Sequence, residues 1–117
     1  MPICPAPRSR YDLILSNSLL HHLRDPAVLW QSLRRWAAPD AAVFVVDLKR
    51  PASIAAARQL VETYAAGEPE VLRRDFYNSL LAAYRSDEVR AQLTAAGLEH
   101  LTVDEVSDRH LAVVGRR

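Results

Sequence analysis

The chain has 117 residues, half of them apolar, which is the size of one small domain with a single core and leaves no room for two. Its 15 basic and 14 acidic residues give a net charge of +1, so no strong field directs it to nucleic acid or to a membrane surface. One cysteine, Cys4, excludes an intramolecular disulfide and a cysteine-built metal cluster, which fits a reducing cytoplasm, and no run approaches the roughly 18 apolar residues of a membrane span.

Residues 1–10 carry Pro2, Pro5 and Pro7 and read as a disordered Pro-rich leader, without the apolar stretch of a secretion signal. Structure is expected over residues 11–117. Tyr11-Asp12-Leu13-Ile14-Leu15-Ser16 is a nearly continuous apolar run, the form of a parallel strand covered on both faces, and Asn17-Ser18 end it. Asp25-Pro26 start a helix, the carboxylate accepting free N–H groups and the proline fitting the first turn. Leu29, Leu33 and Trp36 share one face of it, and Pro39-Asp40 stop it.

Val43-Phe44-Val45-Val46 is a second buried parallel strand. Strand, helix and strand in about 38 residues make a βαβ unit, whose crossover is right-handed, and hence an α/β sheet. Pro51 opens a further helix with Ile54, Val61 and Tyr64 on one face, broken by Gly67-Glu68-Pro69. Val71 to Tyr84 reads as a helix from the spacing of Phe76, Leu80 and Tyr84. Ser86 is placed as the N-cap of the next helix, with Asp87-Glu88 in its first turn, Val89 and Leu93 as an i, i+4 pair, and Gly97 at its end. Leu98, Leu101, Val103 and Val106 form an imperfect strand and Leu111-Ala112-Val113-Val114 a stronger one; the short link through Ser107-Asp108-Arg109 makes them antiparallel.

That order, together with the run from Tyr11 through Leu19-Leu20-His21-His22-Leu23 and the Asp25-Pro26 helix start, resembles the second half of class I S-adenosylmethionine-dependent methyltransferases, nearest their small-molecule and quinone-type branch. Pro39-Asp40-Ala41-Ala42 stands where that family commonly has Lys-Pro-Gly-Gly, alanines replacing the glycines. The resemblance covers about Arg10 to Gly115. It implies a partial Rossmann-like fold of about four strands, two parallel and a C-terminal antiparallel pair, with flanking helices. It also implies S-adenosylmethionine as cofactor and a small-molecule methyl acceptor. The family's Gly-x-Gly loop and ribose-binding acid are missing: Gly67, Gly97 and Gly115 are the only glycines, and none joins a strand to a helix.

Ser16, Asn17 and Ser18 lie at the carboxyl end of a parallel strand, where open α/β sheets place ligands. By resemblance they adjoin the methionine moiety of the cofactor; the plainer alternative is a polar turn that satisfies its own backbone. His21-His22 with Asp25 invite a metal, but adjacent side chains on a helix diverge by about 100°, so a shared ion is disfavoured. By resemblance His21 lies nearer the cofactor and His22 packs or lines the acceptor side. Asp47 ends the second strand on the same rim, to orient an acceptor or to cap the surface ahead of Pro51. Phe76, Tyr77, Asn78 and Tyr84 fall where the family often places a lid over the acceptor; an aromatic stripe at helical spacing is more often a core face. Methyl transfer needs alignment of donor and acceptor more than a catalytic triad, and no catalytic residue is assigned.

Two functions follow: a methyltransferase, or a fragment of one, acting on a small molecule, and a non-catalytic module that works by self-association or by pairing with another chain. The second rests on the first strand, which exposes an unpaired apolar edge and so makes a homodimer possible.

Overall fold

The structure is a computed structural model and describes residues 10–117; the expected leader, apart from Arg10, lies outside the described residues, as does Cys4. Two strands, β1 (Tyr11–Asn17) and β2 (Ala37–Leu48), flank a 3-10 turn (Leu20–His22) and helix α1 (Ala27–Trp36). Helices α2 (Ile54–Ala65), α3 (Glu70–Ala82) and α4 (Ser86–Ala95) follow, then β3 (Thr102–Glu105) and β4 (His110–Arg116). The sheet order is β1-β2-β4-β3, with β1 parallel to β2 and both other pairings antiparallel. This is the expected α/β arrangement of two parallel strands and a closing antiparallel pair.

β2 alternates strictly from Ala41 onward: Ala41, Val43, Val45 and Asp47 are buried, while Ala42, Phe44, Val46 and Leu48 are less so. The buried parity faces α1 and α4. There Leu29, Trp30 and Leu33 meet Val89, Leu93, Leu111 and Val113 in one core. Trp30, at 0% exposure, is the centre of that core, and its indole N–H donates to Gln92 Oε1 at 3.0 Å to join the two helices. Trp36, expected beside Leu29 and Leu33, is only half-buried, because Trp30 takes the inward place one position beyond Leu29.

Several local expectations change. Pro39-Asp40 do not stop α1, which ends at Trp36; Ala37 already pairs with Tyr11. Between that pair and Leu13↔Ala42 the register shifts, and Pro39 with the left-handed Asp40 (φ 64°) occupies the bulge. On α2 the buried face is Ala57, Val61 and Ala65, while Ile54 and Tyr64 are exposed, because the helix packs on α3 through small residues. Ser86 is the first residue of α4 rather than its cap. Arg85 holds the cap position, its N–H donating to Glu88 at 2.8 Å, which frees the Ser86 hydroxyl to donate to Glu105 at 2.8 Å. Gly97 does end α4: at φ 74° it lets Leu98 N–H reach Leu93 O (2.8 Å) and its own N–H reach Thr94 O (3.1 Å).

Among the described residues nothing covers the sheet's other face over β1 and β2, where Leu13, Leu15 and Phe44 are 55%, 66% and 48% exposed. No helix among the described residues is long and apolar enough to cross a membrane.

Candidate functional site

The carboxyl ends of β1 and β2 form one rim. Asn17 pairs with Val46, and Ser18 N–H donates to Val46 O at 2.9 Å, so Asp47 stands level with the end of β1. Ser18 then takes a left-handed conformation (φ 60°), rare for a residue with a Cβ, and turns the chain back across β2. Its hydroxyl donates to Asn17 Oδ1 at 3.0 Å.

The returning 3-10 turn docks on the Asp47 carboxylate. Leu20 N–H donates to Oδ2 at 2.7 Å; His21 Nδ1 and Leu48 N–H approach Oδ1 at 2.5 and 2.9 Å. Asp47 is 1% exposed and the His21 side chain 5%. A carboxylate only accepts, so the proton of this pair sits on Nδ1, which leaves Nε2 as the ring's other face. A buried carboxylate is tolerable only when its lone pairs are met, and here three N–H groups meet them. Asp47 is therefore no surface cap ahead of Pro51; its side chain is spent on holding His21 and the turn. Of the two histidines it is His21 that packs and His22 that is exposed, so of the two alternatives expected for His22 the packed one does not hold. Their rings lie 4.0 Å apart at 40°, so they do not converge on a common point. Among the described residues no group of three His, Cys, Asp or Glu side chains is placed to hold a metal.

Ser16 is the other notable residue of the rim: its hydroxyl is buried and has no hydrogen-bond partner among the described residues. Ser16, Asn17, Ser18, His21 and Asp47 are thus brought together. Tyr77 and Asn78 are not part of that group. Tyr77 packs with Phe76 in the separate α2–α3 cluster, beside Arg58 and Arg73, and Asn78 is exposed. α3 nevertheless lies against the 3-10 turn. The link that secures it is Tyr84, whose hydroxyl donates to Leu23 O at 3.2 Å, while Arg50 N–H donates to Tyr84 O at 3.1 Å. The sequence marks Tyr84 as a lid or core aromatic and carries no sign of its tie to the turn. Nor does the sequence mark the Leu20 amide, because backbone groups carry no sequence signal. The Asp47–His21 pairing had one: Asp47 shares the parity of Val43 and Val45, so an inward acid at a strand end needs a partner.

Further along the same edge a cleft of about 610 Å³ is lined by Lys49, Arg50, Arg85, Ser86 and Glu105. Its charges answer one another. Lys49 Nζ is 2.8 Å from Glu105, which holds that carboxyl below its ordinary range, and Arg85 is 3.1 Å from Asp87. Behind it, burial pushes the His110 imidazole below its usual value, with Ser107 Oγ 2.9 Å from its Nδ1.

Comparison with known proteins places this geometry. A family model described as a methyltransferase domain matches residues 2–103. A search of curated proteins finds no match. Among solved structures, a SAM-dependent methyltransferase from Aquifex aeolicus aligns with 96% of this chain and 48% of its own, at 23% identity and TM-score 0.59. The plantazolicin methyltransferase BpumL, in complex with a monoazolic desmethylPZN analog and SAH, aligns with 94% of this chain and 53% of its own, at 13% identity and TM-score 0.65. A possible exported protein from Bordetella parapertussis aligns over 94% and 40%, at 24% identity and TM-score 0.65. These likenesses are of fold, and the chain spans about half the length of such structures or less. With the family model matching most of its length, the chain belongs to the methyltransferase-domain family.

Proposed function

We propose that the chain is the C-terminal half of a class I methyltransferase domain and forms the transfer side of its active site, moving a methyl group from S-adenosylmethionine to a small-molecule acceptor. The observation that carries this reading is the rim itself: Asp47 locks His21 beside the polar end of β1, in a chain of the methyltransferase-domain family.

The residues present fit the methionine end of such a cofactor. Ser16 offers a buried hydroxyl without a partner among the described residues, and Asn17 and Ser18 are exposed polar groups at the mouth. For the adenosine end, the described residues supply nothing comparable, since Gly97 caps a helix and Gly115 lies inside β4. When bound, the sulfonium supplies an electrophilic methyl. The chain's residues contribute alignment and proton handling: Ser16, Asn17, Ser18 and His21 face the donor, and His22 stands exposed toward the acceptor. Asp47 acts through His21, fixing its tautomer so that Nε2 can take a proton from an acceptor hydroxyl or amine. Tyr77 and Asn78 sit on α3, which borders the turn and can cover the acceptor.

The test is isothermal titration with S-adenosylmethionine and S-adenosylhomocysteine, on the chain alone and on a version extended upstream. Saturable binding by the extended version, weakened by His21→Ala, is expected. If neither version binds, the chain has no part in methyl transfer.

A further inference from the structure

Helices α2 and α3 form a hairpin with a small core of its own, Ala57, Val61, Ala65 and Leu80, into which the sheet sends Leu48. The Glu62–Arg73 ion pair, at 2.5 Å, clamps one helix to the other. The two ends of the hairpin are stapled together at its stem: Arg50 N–H donates to Tyr84 O at 3.1 Å, Arg50 Nε–H donates to Ala83 O at 3.0 Å, and Lys49 bridges to Tyr84. Beyond the stem, residues 54–82 make one side-chain tie by hydrogen bond to the rest of the described residues. Tyr64, near the end of α2, donates its hydroxyl to Asp108 Oδ2 at 2.6 Å. The Arg109 guanidinium lies 3.7 Å over the Tyr64 ring while its Nη1 donates to Asp108 Oδ1 at 2.9 Å, so ring, carboxylate and guanidinium close on one another.

We infer that Tyr64 is the catch of a hinged flap: the α2–α3 hairpin swings as one body about its stapled stem, and the Tyr64–Asp108–Arg109 clasp holds it against the turn between β3 and β4. The pivot is at the stem because the links that leave it, residues 51–53 and Ala83, belong to no helix or strand, while the hairpin beyond them is held together by its own core and ion pair. The cleft of about 610 Å³ is the space the swing would change. Ala56 and Leu60 of α2 form one wall of it and Arg85, Ser86 and Glu105 the other, so α2 stands off from α4 instead of packing on it. The clasp is built to be exchanged for water. Tyr64 is 46% exposed and the Asp108 side chain 49%, so opening strands no buried group. Their hydrogen bond holds the phenol above its ordinary value and the carboxyl below, and at neutral pH the donor is protonated and the acceptor charged, the state that closes the clasp. The clasp sits beside the β3 edge, across the sheet from β1. Under the methyl-transfer reading the flap governs entry to the rim at the end of β2, a consequence that rests on that reading; the swing itself does not.

The test is a spin-label distance measurement on the full chain in a Cys4→Ser background, without cofactor. One label pair, Ala66→Cys with Asp104→Cys, spans the clasp; a second, Ala55→Cys with Asp75→Cys, lies within the hairpin, and all four positions are exposed. Tyr64→Phe, which keeps the ring under Arg109 and loses the hydrogen bond, should add a second population to the spanning pair, longer by about 5 Å, half a helix diameter. Tyr64→Ala, which loses both contacts, should make that population the larger one, and the pair within the hairpin should stay as in the parent. Circular dichroism checks that the fold is kept; should Tyr64→Ala fail it, Tyr64→Phe and Asp108→Asn decide. An unchanged spanning distance in the folded variants would overturn the inference, since the clasp then holds nothing. Spreading of both pairs together would overturn it as well, since the hairpin then melts in place of swinging. Neither result bears on cofactor binding, which titration measures separately.

Discussion

Asp47→Ala tests whether the rim is organised by one carboxylate. The substitution leaves Leu20 N–H, His21 Nδ1–H and Leu48 N–H without their acceptor, in a place that is 1% exposed. Each stranded buried donor costs about 1–3 kcal/mol, and breaking a buried pair from one side about 3–5 kcal/mol in total, since water recovers part of the loss at the rim. Against a usual domain stability of about 5–15 kcal/mol that is a large fraction. Asp47→Asn keeps the volume and one acceptor oxygen. It can still serve Leu20 while its amide faces His21, which must then move its proton to Nε2, so about 1–3 kcal/mol is expected. Urea unfolding followed by tryptophan fluorescence measures both, and adding His21→Ala completes a double-mutant cycle with a coupling of about 1–3 kcal/mol. If Asp47→Ala unfolds within about 0.5 kcal/mol of the parent, or if the two substitutions are additive, the carboxylate does not hold the turn.

Other substitutions probe the frame around the rim. Burial holds His110 below its ordinary value of 6.5, so the unfolded chain binds a proton that the folded chain refuses. Its contribution to stability is complete above pH 6.5 and is lost as pH falls through the lower folded value; His110→Gln should flatten that stretch of a stability-versus-pH curve. Gly97→Ala puts a Cβ into a φ of 74° and 3.3 Å from the Arg34 guanidinium, which itself donates to Ala96 O; a loss of about 1–2 kcal/mol should appear as a lower urea midpoint with an unchanged slope. Trp30→Phe strands Gln92 Oε1 and leaves a void between α1 and α4, costing about 1–3 kcal/mol by thermal unfolding, whereas the same change at half-buried Trp36 should cost less.

The fold was legible where hydrophobic period and length agreed. Tyr11 to Ser16 and Val43 to Val46 read as parallel strands because each is too short and too β-branched or aliphatic for a helix and a helix of crossover length lies between them. Gly97 was legible because a left-handed C′ position selects its residue type almost alone. The misplacements share a cause, a partner distant in sequence that overrides a local preference. Ser86 is a good cap by itself, yet Glu105 on β3 takes its hydroxyl and Glu88 serves Arg85 instead. Ile54 and Tyr64 are apolar at helical spacing, yet α3 packs against the alanine side of α2, and Tyr64 goes to the surface to donate to Asp108 at 2.6 Å.

The site was legible as a place and not as a mechanism, and the reason lies in the register of β1 against β2. Which histidine of His21-His22 turns inward depends on where the 3-10 turn begins, and that is decided by Ser18 leaving the strand with φ 60° once its N–H has met Val46 O. One residue earlier or later and the other imidazole would face the sheet. The acid that receives it can be found from pattern alone: Val43 and Val45 face the core, so Asp47 must too, and a carboxylate buried there demands donors from whatever crosses the end of β2. The segment that crosses is the one immediately after β1, because a parallel neighbour delivers its C-terminal turn to the same rim. A strand of valines ending in an inward acid, next to a parallel strand ending in a polar turn and two histidines, therefore specifies an Asp–His pair. Only the choice between the two imidazoles needs coordinates.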